Sequence, residues 1–189
     1  MNFDVRKRKA ARAAKAAGMD GLLITHLPDV RYLSGFTGSN AVLAFSGGRA
    51  VLLTDGRYTV QAKAEAVGTR VIIATKPVLS AACEWLVEAG VSRCGFDASH
   101  TTVSALESMQ KAVPAKQRRG MFSAVEPIVA RLREVKDADE IARIRKSALL
   151  GCSLFDGMLE FLQAGLKEFQ VAAAIGISGA SGWGGSHVF

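Results

Sequence analysis

The chain has 189 residues, 49% of them hydrophobic and 22% charged, with a formal net charge of +7. That length buries one ordinary core and begins a second region, and the composition excludes wholesale disorder. No apolar run approaches the roughly 18 residues that span a bilayer, and no secretory signal is visible.

Residues 4–17 are helix formers throughout, and Gly18 is placed to stop them. Arg6, Lys7, Arg8, Lys9, Arg12 and Lys15 stand there against only Asp4 and Asp20, so the first 20 residues supply +4 of the net charge. The stretch lacks an apolar signal core and runs straight into a strand-like segment. It therefore reads as a solvated helix face rather than a transit peptide or a nucleic-acid arm. Asp20-Gly21-Leu22-Leu23-Ile24-Thr25 follows as a continuous apolar run of the kind found in buried strands.

Tyr32-Leu33-Ser34-Gly35-Phe36-Thr37-Gly38-Ser39-Asn40 comes next and reads as a loop. Its two glycines permit positive backbone dihedrals and close approach, and Ser39 and Asn40 can hydrogen-bond a turn or a ligand. Chemistry alone leaves two readings, a structural turn that packs Tyr32 and Phe36 into the core or a loop that faces a ligand. The glycine spacing is not that of a phosphate loop.

Residues 41–46 and 50–54 are apolar runs joined by Gly47-Gly48, which predicts an antiparallel hairpin. Thr54-Asp55-Gly56-Arg57-Tyr58 then closes a strand and opens a helix over 58–67. Asp55 is placed to cap that helix, and Arg57 to form a local ion pair or to reach an acidic partner. Strands are predicted at 70–74, 94–97 and 120–125, and helices at 78–88 and 102–113. This alternation predicts an α/β fold, a mixed sheet with flanking helices.

From Ile128 to Ile175 almost everything reads as helix. Asp137 with Glu140 has the form of a capping box, and Ile141, Ile144, Ala148, Phe155, Leu159 and Leu162 mark one apolar face. Gly165 interrupts the pattern and a second helix is expected from Leu166. The last fourteen residues, rich in glycine, read as unstructured or loosely packed.

Cys83, Cys94 and Cys152 have no CxxC spacing and read as buried apolar side chains or free thiols, which fits a reducing, cytoplasmic compartment. His26 with Asp29, and Asp97 with His100, read as turns with satisfied histidines rather than as metal ligands. No motif for Ser-His-Asp catalysis is present.

YLSGFTGSN, a hairpin and then LLTDGRYTVQA resemble the N-terminal domain of the Xaa-Pro aminopeptidase, prolidase and creatinase family of pita-bread metallohydrolases. Val125-Glu126-Pro127-Ile128-Val129, the run from Leu132 to Asp137, and Glu140 to Lys146 resemble that family's inter-domain connection and first catalytic-domain helix. Gly165 to Ala172 is similar to the start of its second helix, with Lys167 where a capping Thr is usual. The resemblance implies a creatinase/prolidase-type domain over 1–125, a linker over 126–136, the first helices of a pita-bread domain over 137–175 and an aberrant tail over 176–189.

It also implies that the complete enzyme removes an N-terminal residue preceding proline with two divalent metals, usually manganese, held by two Asp, one His and two Glu. This chain has no Asp or Glu after Glu168, so the expectation is a chain truncated or frameshifted before its metal ligands, inactive alone, with no catalytic and no metal residue of its own. The loop from Tyr32 to Asn40 is the expected substrate-facing segment, with Tyr32, Phe36, Ser39 and Asn40 as contacts and Arg31 and Arg57 beside them. Self-association is expected, with peptide substrate only if a catalytic domain is supplied, and neither membrane nor nucleic acid. The alternative is a stand-alone binding or oligomerisation module, one form of it using the basic first helix to hold an acidic partner.

Overall fold

The computed structural model describes residues 2–66 and 68–182. They form two compact units, Asn2–Val135 and the residues from Lys136 onward.

The first unit is built on six strands: β1 (Gly21–Ile24), β2 (Ala41–Ser46), β3 (Arg49–Asp55), β4 (Arg70–Ala74), β5 (Cys94–Asp97) and β6 (Phe122–Val125). Their order across the sheet is β4-β3-β2-β1-β5-β6. β2 pairs antiparallel with both β1 and β3, and the remaining pairs are parallel, so β2 alone runs against the other five. The mixed sheet and flanking helices agree with the sequence expectation, including the hairpin at Gly47-Gly48.

The strands are apolar on both faces because both faces are covered. Leu22 and Ile24 of β1 point into one core with Leu43 and Phe45 of β2 and Leu52 of β3. Three helices pack against that core: α1 (Phe3–Ala16) through Ala10 and Ala14, α2 (Leu27–Ser34) through Val30 and Leu33, and α3 (Thr59–Glu65) through Ala62. Leu23, Val42, Ala44, Val51 and Leu53 point the other way, onto α4 (Val78–Glu88) and Met109 of α5 (Val103–Lys111). The two-residue alternation of the strands thus feeds two cores. A sixth helix, α6 (Ile128–Glu134), closes the first core with Val129.

Two local expectations fail here. The segment after β1 is not loop throughout, because Leu27–Ser34 forms α2, so Arg31 and Tyr32 lie on a helix. Pro28 at its start and Asp29 in its first turn favour that helix, and Gly35, at φ 85°, ends it in the left-handed conformation. The basic face of α1 is also not wholly solvated, because Arg6 and Lys7 are only 5% and 8% exposed. Lys7 Nζ donates to Gly68 O and Thr69 Oγ1 and pairs with Asp4, while the Arg6 guanidinium lies 4.0 Å from the Tyr32 ring centroid and donates to Tyr32 O. Long cationic side chains are buried only with such partners.

In the second unit, α7 (Ala138–Phe161) starts with the capping box read from the sequence: Glu140 N donates to Asp137 Oδ1, and Asp137 N to Glu140 Oε2. The next helix, α8 (Glu168–Gly182), runs past Ile175 through residues expected to be unstructured. Each helical glycine costs about 1 kcal/mol, but no proline interrupts the segment, and a side chain at Gly179 would stand 3.8 Å from Leu154 of α7. That is ordinary van der Waals contact, so α8 lies against α7 there without needing a glycine. The expectation for residues 183–189 lies outside the described residues. Among those described, no helix is long and apolar enough to cross a membrane.

Candidate functional site

Because five strands run the same way, their C-terminal ends share one edge of the sheet, which is where ligand sites of open α/β sheets occur. The chain leaves β1 at this edge into α2 and the 35–40 loop. It leaves β3 at the same edge into a short 3₁₀ turn, Gly56–Tyr58. Strand order therefore brings together two motifs separated in sequence.

The contact between them is specific. Asn40 Nδ2 donates to Asp55 Oδ2 at 2.6 Å, and Thr54 Oγ1 donates to Asn40 O at 2.6 Å. Arg57 forms a fork on Asp55, with Nε 3.0 Å from Oδ1 and Nη2 2.9 Å from Oδ2, and its backbone N–H also donates to Oδ1. The local ion pair read for Asp55 and Arg57 is present, and the Asp55 cap falls on the 3₁₀ turn, while α3 starts from Tyr58 without a side-chain cap. The Arg57 fork, then the Asn40 amide, hold the Asp55 carboxyl well below the usual carboxylate range, and Asp55 in turn raises Arg57. Ser39 Oγ and Tyr58 Oη are 2.6 Å apart, and this hydrogen bond lowers the Tyr58 phenol from its ordinary value.

Phe36 supports the loop from below. Its ring meets Tyr58 edge-on with centroids 5.6 Å apart, and at 1% exposure it belongs to the core. Its side chain is therefore not a contact on the outer surface. Gly38 is required by the same packing, because a Cβ there would fall 2.3 Å from Phe36 Cζ and 2.8 Å from Tyr58 Cδ1. Thr37 is tied down by Glu65, which accepts from its backbone N–H at 2.7 Å.

Tyr32 turns the other way. Its ring receives Arg6, and its hydroxyl donates to Leu132 O at 3.2 Å. Ser39, Arg31 and Arg57 are exposed and Asn40 is half-buried. The structure thus brings Ser39, Asn40 and Arg57 into one polar ledge. It puts Phe36 beneath the ledge and Tyr32 against α1 and α6. Tyr58 and Asp55, absent from the expected contacts, complete it; the turn sequence Asp55 to Tyr58 was legible, but its partners in the 35–40 loop were not.

A second polar group sits at the same edge. Asp29, 2% exposed, accepts from Arg133 Nη1 at 2.7 Å and so ties α2 to α6. The His26 and His100 rings stack with centroids 3.7 Å apart and planes 2° from parallel. His26 Nδ1 lies 3.2 Å from Asp29 Oδ2 without the alignment of a hydrogen bond, so this histidine is not the satisfied one expected from its turn. The cavity around them encloses only about 10 Å³, less than a ligand requires.

Among the described residues no three His, Cys, Asp or Glu side chains are arranged to hold a metal ion. A dinuclear centre of two Asp, one His and two Glu therefore does not fit the residues described. Cys83 and Cys94 are buried and Cys152 is exposed. Burial pushes the Cys83 thiol up to about 12, and Cys94 is raised for the same reason, so neither is an activated nucleophile. The ledge offers hydrogen-bond donors and acceptors to a ligand. It pairs no nucleophile with a base.

The family model of the Creatinase/Prolidase N-terminal domain matches residues 6–135. The chain belongs to this family. It is 31% identical over 155 residues to an uncharacterized peptidase, YqhT, of Bacillus subtilis, a match that covers 82% of this chain and 43% of the relative. An Xaa-Pro dipeptidase from Bacillus anthracis has the same fold with a TM-score of 0.85 and 27% identity, over 95% of this chain and 49% of that one. The N-terminal domain of the cytoplasmic peptidase PepQ from Mycobacterium tuberculosis is 35% identical with a TM-score of 0.63, over 68% of this chain and 98% of that one. The creatinase/prolidase-type chain thus spans about half the length of the Bacillus anthracis dipeptidase and less than half of YqhT.

Proposed function

We propose that this chain is the N-terminal, non-catalytic portion of an Xaa-Pro aminopeptidase or prolidase-type metallopeptidase of the cytoplasm. Its ledge of Ser39, Asn40 and Arg57 lines the approach of a peptide to a catalytic domain in the same polypeptide or a neighbouring subunit. The observation that carries this reading is the rigid union of the 35–40 loop with Asp55-Arg57 at the C-terminal sheet edge of a creatinase/prolidase-type domain. Fixed exposed donors suit recognition of a peptide carbonyl or carboxylate, and the lack of a nucleophile-base pair suits a domain that does no chemistry. The complete enzyme would supply two divalent metals, manganese by family resemblance, to activate a hydroxide. The residues described here would position peptide.

The test is to incubate the purified chain with an Xaa-Pro peptide and manganese and to follow release of the N-terminal residue. No release is expected. Hydrolysis abolished by a chelator would overturn the reading.

Self-association is the second part of the proposal. Ile141, Ile144, Phe155 and Leu159 of α7 are between 49% and 64% exposed, and each would gain roughly 1.5 to 3 kcal/mol on full burial. Sedimentation velocity is expected to show species larger than the monomer.

A further inference from the structure

At the opposite end of the sheet, where β1 and β3 begin, α1 and the turn after β2 enclose a groove of about 640 Å³. That volume is in the range of small-molecule sites, roughly 300–1,000 Å³. Its floor is apolar, with Met19, Leu22, Phe45 and Val91 beneath it. Along one wall Arg8, Arg12 and Lys15 recur at the spacing that puts side chains on one helix face. Their aliphatic stems extend the apolar wall while their charged ends rim it.

The charge at this rim is largely uncompensated. Arg12 and Lys15 make no salt bridge within the described residues. A fourth cation, Arg93, has its guanidinium against Gly18, 3.7 Å from where a Cβ would stand. The one acid lining the groove, Asp20, is engaged elsewhere, accepting from Ser92 Oγ at 2.6 Å and from the backbone N–H groups of Ser92 and Arg93. The opposite rim is backbone at Gly47 and Gly48, where added side chains would meet nothing within 4 Å. It remains open.

We propose that this groove binds a small anionic amphiphile, a carboxylate or phosphate on an apolar body, with its head among Arg8, Arg12 and Lys15 and its body on the Phe45 floor. The site is separate from the peptide-facing ledge and does not depend on the peptidase reading. Neither a neutral apolar compound nor a free anion would satisfy both halves of it.

The test is calorimetric titration of the whole chain with decanoate, decyl phosphate, decanol and decylammonium. The two anions are expected to bind one per chain, with affinity falling as salt rises. Comparing them distinguishes a carboxylate ligand from a phosphate ligand. Arg12→Glu with Lys15→Glu should weaken binding about tenfold or more, since two favourable charges become repulsive. Gly48→Trp, at a position without positive φ and with open space, should block the groove without reversing any charge. Equal binding of decylammonium and decanoate would mean that the alkyl chain alone drives binding and would overturn the proposal. So would binding unchanged in both variants, tighter binding of a hexaglutamate peptide than of decanoate, or no saturable binding.

Discussion

Phe45 in β2 is 2% exposed and Phe155 in α7 is 64% exposed, although both belong to regular, well-formed elements of one chain. The contrast holds across the two units. Among the described residues every buried apolar side chain except Met158 lies before residue 136, whereas α7 presents Ile141, Ile144, Phe155 and Leu159 to solvent. A sheet covered on both faces closes two cores. A pair of helices covers only one side of each, and within the second unit α7 packs Leu154 toward α8. Secondary structure is decided by local pattern, but burial needs a partner layer.

The contrast is broken most directly in the first unit. Phe45→Ala is expected to cost about 3–5 kcal/mol, because the lost transfer free energy is joined by a cavity that the sheet cannot collapse. Denaturant unfolding measures it, and a loss below 1 kcal/mol would mean that the core is looser than its burial implies. Next in size is Asp29→Ala, which leaves the partly exposed Arg133 without its carboxylate and removes one of the ties between α2 and α6, at about 2 kcal/mol. Hydrogen exchange should rise in 128–134 ahead of the rest. Uniform exchange would show that the Tyr32 hydroxyl and the apolar contacts of α6 hold the helix without it.

A smaller effect is expected from Asp55→Asn, and it depends on pH. The folded-state pKa of Asp55 is depressed, so its ionised form stabilises the fold above the ordinary carboxylate value of about 4. That contribution is lost as pH falls through the lowered folded value. The gap in urea midpoint between wild type and variant should therefore be full at pH 7 and shrink from about pH 4 downward. A gap that does not change with pH would sink the assignment to the Arg57 ion pair. The smallest effect on stability is expected from Phe155→Ser, within about 0.5 kcal/mol as for other exposed sites, yet it should reduce association in sedimentation. If unfolding instead shifts as it does for Phe45→Ala, the face of α7 is covered in solution.

Much of the fold was legible in the sequence because its signals are local. Gly47-Gly48 between apolar runs announced the hairpin, and the Asp137 and Glu140 pair announced the start of α7. The helix α2 was missed because Tyr32 to Asn40 was read as one unit, though Pro28, Asp29 and Gly35 mark its start and stop. For the site, the sequence named Ser39, Asn40 and Arg57, but nothing local distinguished Phe36 as a buried support from Tyr32 as the partner of Arg6.

By itself the sequence determined most of the elements, the alternation that makes an α/β sheet, and the resemblance to creatinase/prolidase-type domains, because period, caps and turn residues act within a few positions of each other. Only the tertiary structure decided which elements meet. It paired Asn40 with Asp55 and Ser39 with Tyr58, buried Arg6 and Lys7 of a seemingly solvated helix, and stacked His26 on His100. Those contacts depend on strand order, and strand order is settled by burying both faces of the sheet at once rather than by any short stretch of the chain.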